Sequence, residues 1–319
     1  RAAGHTGEAA DTSFRPGKGY WLTQEVASSE MDPTGDANVA ALRALVGERT
    51  ARDADAGNYC DDAALQRVLR ARDGRVREAH ALLTNVLDWR AAHRPWEATC
   101  PLCASSGTAH SMRHVGWDAE RRPVVYTSMA QCMDRHNSTA NMLHLQNIVE
   151  KWGRLERMGR GSVDGKWIYI FDMQGFGMLD ALDPSTGLKS CFILQKYPER
   201  LSRVFVVDAP RLFSGLWSIF RKAMDPVTAQ KVVFVTRAEA GASFAAHAFP
   251  PGLVAWLTCE MADNRAAAPG NGSKRYWVPP GKDAAHDPRG APDYVASDEY
   301  FALACEAAGQ QTPRCLKSA

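Results

Sequence analysis

The sequence lacks the features that mark membrane-spanning, secreted or nucleic-acid-binding chains. No apolar run approaches the ~18 residues that a membrane-spanning helix needs. Eight cysteines in 319 residues are too sparse for a disulfide scaffold. A formal net charge of +2 leaves no basic footprint for nucleic acid. The opening RAAGHTGEAADTSF has no apolar h-region, so no signal peptide is visible. No repeat or low-complexity tract precedes Arg265. The expectation is a soluble, cytoplasmic monomer without a cofactor, long enough for one large domain or two small ones.

What is there centres on Leu188 to Val235, which reads as helix, strand, helix, strand with a turn signal at each joint. Phe192, Ile193 and Leu194 give an apolar helical face that must stop near Tyr197, because the residue before Pro198 is pushed out of the α region. Val204 to Val207 is short, β-branched and aromatic, as a buried strand is. Asp208 and Pro210 then predict a helix start with Asp208 as its N-cap. From Leu212 to Met224, the residues Leu212, Phe213, Leu216, Trp217, Ile219, Phe220 and Met224 leave almost no polar face. Such a helix is buried on both sides or meets something other than water. Asp225-Pro226 caps a short turn, and Lys231 leads into the strand Val232 to Val235.

Residues 1–36 are polar and expected to pack loosely. A helical module is expected over 37–95, with Asp61 or Asp62 opening a helix that carries Leu65, Val68 and Leu69. A main lobe follows over 110–260. It contains a strand at Pro123 to Thr127, an amphipathic helix through Met142 to Met158, and a strand at Trp167 to Met173 whose unbroken apolar run implies burial on both faces. On that helix Glu150, four residues before Arg154, reads as an exposed support. The tail 266–319 is rich in Pro, Gly and Ala and expected to be poorly ordered. Alternating strands and helices predict an α/β lobe with about five mostly parallel strands.

YPERL at Tyr197–Leu201, DAP at Asp208–Pro210 and MDPVTAQKV at Met224–Val232 resemble the CRAL-TRIO lipid-binding family, phosphatidylinositol-transfer type. The text from Asp61 to His93 resembles the small helical module that precedes that lobe, and the likeness runs to about Leu257. Two departures are visible. Asp208 stands where an asparagine is usual, and Phe249-Pro-Pro-Gly-Leu253 replaces the family's closing text. The resemblance implies an apolar cavity on one sheet face, closed by the helix Leu212–Met224 as a gate. Phe213, Leu216, Trp217, Ile219, Phe220 and Met224 are then cavity and gate residues.

The resemblance also assigns a phospholipid head-group site to Arg72, Glu199, Thr228 and Lys231. On helical spacing, Arg72 continues the stripe of 65, 68 and 69 inward, where its charge needs a partner. The plain alternative is an end-of-helix arginine reaching water. Taken singly, Glu199 could pair with Arg200 or Arg203, Thr228 could be a helix-start hydroxyl, and Lys231 a solvated lysine. Together they suit a phosphodiester and a polyhydroxyl ring, which favours phosphatidylinositol. The family's choline set is incomplete. Asp172-Met-Gln-Gly175 is followed by Phe176, Gly177, Met178 and Leu179, and Val125 fills the tyrosine slot with Tyr126 one place late. The implied function is non-catalytic binding of one lipid and its exchange at transiently contacted membranes. A phosphoinositide-sensing module without net transfer, or a carrier of a retinoid- or tocopherol-like ligand, are the alternatives.

Other motifs carry less. Cys100, Cys103, His110 and His114 have ligand types that zinc takes, but the spacer is shorter than in a zinc finger, and the reading is a small-residue loop without metal. Cys259 to Arg265 has bare C-x₅-R spacing, with Glu260 and Asp263 to repel phosphate. Gly159 to Lys166 misses P-loop spacing by one residue. No Ser-His-Asp or paired-carboxylate arrangement emerges.

Overall fold

A computed structural model describes residues 35–266, apart from 99, 103–109, 133–134, 158–161 and 163. Nearly all of the two segments expected to pack loosely therefore lies outside the described residues. The chain opens with four helices, α1 (Asp36–Arg52), α2 (Ala54–Tyr59), α3 (Asp62–Arg70) and α4 (Val76–His93). Asp53 and Asp61 cap α2 and α3, their carboxylates accepting from Asp55, Ala56 and Ala64 N–H groups. Leu42, Leu65, Leu69 and Leu83 are fully buried between these helices.

The lobe runs β1 (Arg113–Trp117), β2 (Pro123–Ser128), α5 (Ser138–Arg157), β3 (Trp167–Asp172), α6 (Met178–Leu182) and α7 (Ser185–Leu194). It continues with β4 (Leu201–Val207), α8 (Phe213–Ala223), α9 (Pro226–Gln230), β5 (Val232–Val235), α10 (Arg237–Ala246) and α11 (Pro251–Ala266). One sheet holds all five strands in sequence order. β1 is antiparallel to β2, and every later pair is parallel. This is the α/β arrangement that the alternating pattern predicts.

Period two sorts each strand onto two faces. Val124, Tyr126, Ile168, Ile170, Phe205, Val207 and Val235 pack with Phe244, Trp256, Leu257 and Met261 of α10 and α11. Val206 and Val232 pack with Phe213, Leu216 and Trp217 of α8, and Phe171, Val204 and Phe234 lie against the same cluster. Both faces are apolar because both are covered, which is why the strands do not alternate in polarity.

Two expectations need correction. Glu150 is not an exposed support. It is buried, takes 2.6 and 3.3 Å bonds from Arg90 of α4, and accepts the Tyr197 hydroxyl at 3.0 Å. With Arg67–Glu156 at 2.7 Å it docks the helical module on the lobe. Burial, followed by the neighbouring Arg200 charge, lowers the Arg67 pKa to about 10. Asp208 does not cap α8, which begins five residues later. It has φ of 50°, a region enriched in Asp and Asn. Its carboxylate accepts from Arg237 N–H at 2.7 Å and from Arg265 Nη2 at 2.6 Å.

Candidate functional site

Arg72 lies outside α3. Asp73 N–H bonds Arg70 O and Gly74 N–H bonds Leu69 O, with Asp73 at φ 51°, which is a Schellman ending. The ending turns the chain before Arg72 can extend the apolar stripe, so that expectation is corrected. The half-buried guanidinium instead reaches Ala71 O at 2.5 Å and lies 3.7 Å from the Asp225 carboxylate.

Glu199 follows Pro198 with φ of 53°, and accepts two 3.1 Å bonds from Lys231 Nζ. It pairs with neither Arg200, which is committed to Glu156, nor Arg203. Lys166, which sequence reasoning missed, lies 3.9 Å from the same carboxylate. Thr228 sits on α9, whose N-terminus is capped by Asp225 accepting from Val227 N–H at 2.9 Å. Arg72, Glu199, Thr228 and Lys231 all line one cleft of about 470 Å³. Lys231 and Arg72 are thus held near carboxylates, and an anion entering the cleft competes with Glu199 and Asp225.

Beside the cleft lies an apolar cavity of about 260 Å³. Phe213, Leu216, Trp217, Phe220 and Met224 line it from α8 and its end, facing Tyr169, Phe171, Val204 and Val206 of the sheet. Ile219 does not line it and is 47% exposed. Helical periodicity puts 213, 216, 217 and 220 inward, while Ser218, Ile219, Arg221 and Lys222 face out. The helix is therefore amphipathic, and not apolar all round as its sequence suggests. Phe220 seats against α7 at Gly187, where an added Cβ would sit 2.5 Å from its ring. Leu194, Gln195, Leu201, Met224, Asp225 and Thr228 line both spaces, so cavity and cleft adjoin across a shared set of side chains.

Of the incomplete choline set, Phe176 lines the cavity and packs edge-on against Phe213. Tyr126 is buried on the opposite sheet face. Its hydroxyl donates to Asp172 at 2.8 Å and accepts from Asn264 at 2.9 Å. Among the other motifs, Cys259 and Arg265 lie on helix α11 with no loop to cradle phosphate, and Arg265 is engaged by Asp172 and Asp208. Cys100 approaches His110 at 3.1 Å. His114 stacks edge-on with Trp117 on β1, and Cys103 lies outside the described residues.

Residues 112–251 match the CRAL/TRIO domain family. This stretch is similar to CRAL/TRIO domains. The crystal structure of Sfh5 is similar, with a TM-score of 0.52 and 16% identity over 68% of this chain and 85% of that one. Protein real-time of Drosophila melanogaster is 30% identical over 192 residues, 53% of this chain and 28% of the relative. Phosphatidylinositol transfer protein CSR1 of Eremothecium gossypii is 37% identical over 70 residues, 22% of this chain and 16% of that protein. The chain thus spans less than a third of the length of either curated relative. The matched stretch supplies the five strands described and the α8 side of the cavity, while Arg72 comes from the helical module before it.

Proposed function

We propose that this protein binds one lipid, with phosphatidylinositol favoured, and exchanges it between membranes without catalysing a reaction. It would do so from the cytoplasm, touching membranes transiently. The carrying observation is an apolar cavity that adjoins, across shared lining residues, a charged cleft that holds Arg72, Glu199, Thr228 and Lys231. The short match to a phosphatidylinositol transfer protein supports the same ligand.

Each acyl CH₂ withdrawn from water contributes about 0.8 kcal/mol, which offsets extraction from a bilayer. The cavity's 260 Å³ is below the ~300–1,000 Å³ usual for ligand pockets, so two acyl chains require α8 to swing outward. In the cleft, the Arg72 guanidinium would take the phosphate in a fork in place of its 3.7 Å contact with Asp225. Lys231 would add a point charge, and Glu199 and Thr228 would bond ring hydroxyls. Release follows when Ile219 and Leu212, 47% and 40% exposed, enter the interface while Arg221 and Lys222 meet anionic head groups.

Vesicle-to-vesicle transfer of labelled phosphatidylinositol tests this reading. The wild-type chain should transfer it, and Phe220→Asp, which puts a charge at the gate, should abolish transfer. Unchanged transfer by Phe220→Asp would remove the gate role. Vesicle binding without any transfer would make the protein a sensor instead.

A further inference from the structure

We propose that Cys100, His110 and His144 form a binding site for zinc or a similarly soft divalent cation. The sequence spells Cys100, Cys103, His110 and His114, but folding replaces the last of these with a histidine from another element. Cys100 precedes and His110 follows the connection into β1, and His144 comes from the second turn of α5. All three are buried, and one ligand atom from each lies within 4.8 Å of the others.

The spacing of Cys100 and His110 is already close to that of a metal site. Zinc–sulfur and zinc–nitrogen bonds of about 2.3 and 2.0 Å put tetrahedral ligands roughly 3.5 Å apart. Cys100 Sγ and His110 Nε2 are 3.1 Å apart. The two imidazoles stack with centroids 4.3 Å apart and 17° between their planes, so one ring must turn for both in-plane lone pairs to meet one ion. Their other nitrogens are oriented as ligating histidines are. His110 Nδ1 lies 2.9 Å from Asn141 Oδ1, an acceptor, which puts the hydrogen on Nδ1 and leaves the Nε2 lone pair toward Cys100. His144 Nε2 lies 3.1 Å from the Met112 carbonyl, which puts that ring's hydrogen on Nε2. Asn141 and His144 stand three apart on one helix, so a single element sets a ligand and an orienting group. Binding would release the Cys100 thiol proton and form a metal–thiolate bond. Both imidazoles line the cavity, which makes water or a donor atom of its occupant the natural fourth ligand. The site would clip the connection before β1 onto α5.

The test is a cobalt(II) titration of the full chain after chelator treatment, followed by displacement with zinc. Wild type should show a thiolate-to-cobalt charge-transfer band that saturates at one cobalt per chain and disappears with zinc. His144→Gln should weaken binding at least tenfold and Asn141→Leu about 10–100-fold, while His114→Gln leaves it unchanged. Cys100→Ser should lose the charge-transfer band. No band in the wild-type chain, whose fold is not in question, would overturn the proposal. So would wild-type affinity in His144→Gln, or its loss in His114→Gln.

Discussion

The two faces of the sheet are built from the same strands and have opposite outcomes. On one face Phe205 meets Phe244 at 5.1 Å and Phe249 at 6.0 Å, and Leu257 and Met261 are fully buried. That face is filled. On the other face Phe213, Trp217 and Phe220 surround a hollow of about 260 Å³. The difference lies in the covering helices. α10 and α11 press large side chains into the sheet, while α8 packs on Val206 and Val232 but rests partly on α7 at Gly187 and leaves the hollow between. Apolar burial thus makes a core or a binding site according to how closely the second layer approaches.

Truncation should expose this contrast most strongly. Phe205→Ala is expected to cost about 3–5 kcal/mol in denaturant unfolding, because it leaves a void in close packing. Leu216→Ala, which already borders empty space, should cost about 2 kcal/mol or less. Equal losses would mean that both faces are packed alike. Glu150→Ala sharpens the comparison at the module–lobe interface. It leaves Arg90 buried without its carboxylate, and should cost about 3–5 kcal/mol.

His114 provides a pH signature. Its Nε2 is enclosed with no hydrogen-bond partner among the described residues, and burial lowers its pKa to about 4. The unfolded chain, with a histidine pKa of about 6.5, binds the proton more readily. Stability is therefore full above about pH 6.5 and falls by about 3 kcal/mol as pH drops toward 4. Unfolding midpoints across that range check the slope, which His114→Phe should flatten. The smallest stability effect belongs to the cleft. Lys231→Ala breaks a pair whose side chains are only 16% and 14% exposed, but Lys166 still faces Glu199 at 3.9 Å, so it should cost about 1 kcal/mol while weakening phosphatidylinositol binding about tenfold or more.

Much of the lobe was legible because it rests on local rules. Proline at 198 ended one helix, Asp225-Pro226 began another, and the β-branched runs became strands. The residues assigned by resemblance at 72, 199, 228 and 231 do meet in one cleft, although 127 residues separate Arg72 from Glu199. What local patterns hid were partners distant in the chain. Glu150 found Arg90 across 60 positions, and Asp208 found Arg265 across 57. His144 gave no motif signal, because its neighbours Cys100 and His110 belong to another segment. Helical spacing carried Arg72 too far, although Arg72-Asp73-Gly74 already held the residues that favour a positive-φ ending.

Native mass spectrometry of the purified chain, after incubation with vesicles of mixed phosphatidylinositol, phosphatidylcholine and α-tocopherol, tests the lipid assignment most directly. The expected result is one phosphatidylinositol per chain in the wild type and none in an Arg72→Ala, Lys231→Ala double variant. A chain that emerges bare, or a tocopherol adduct that persists in the double variant, would contradict it.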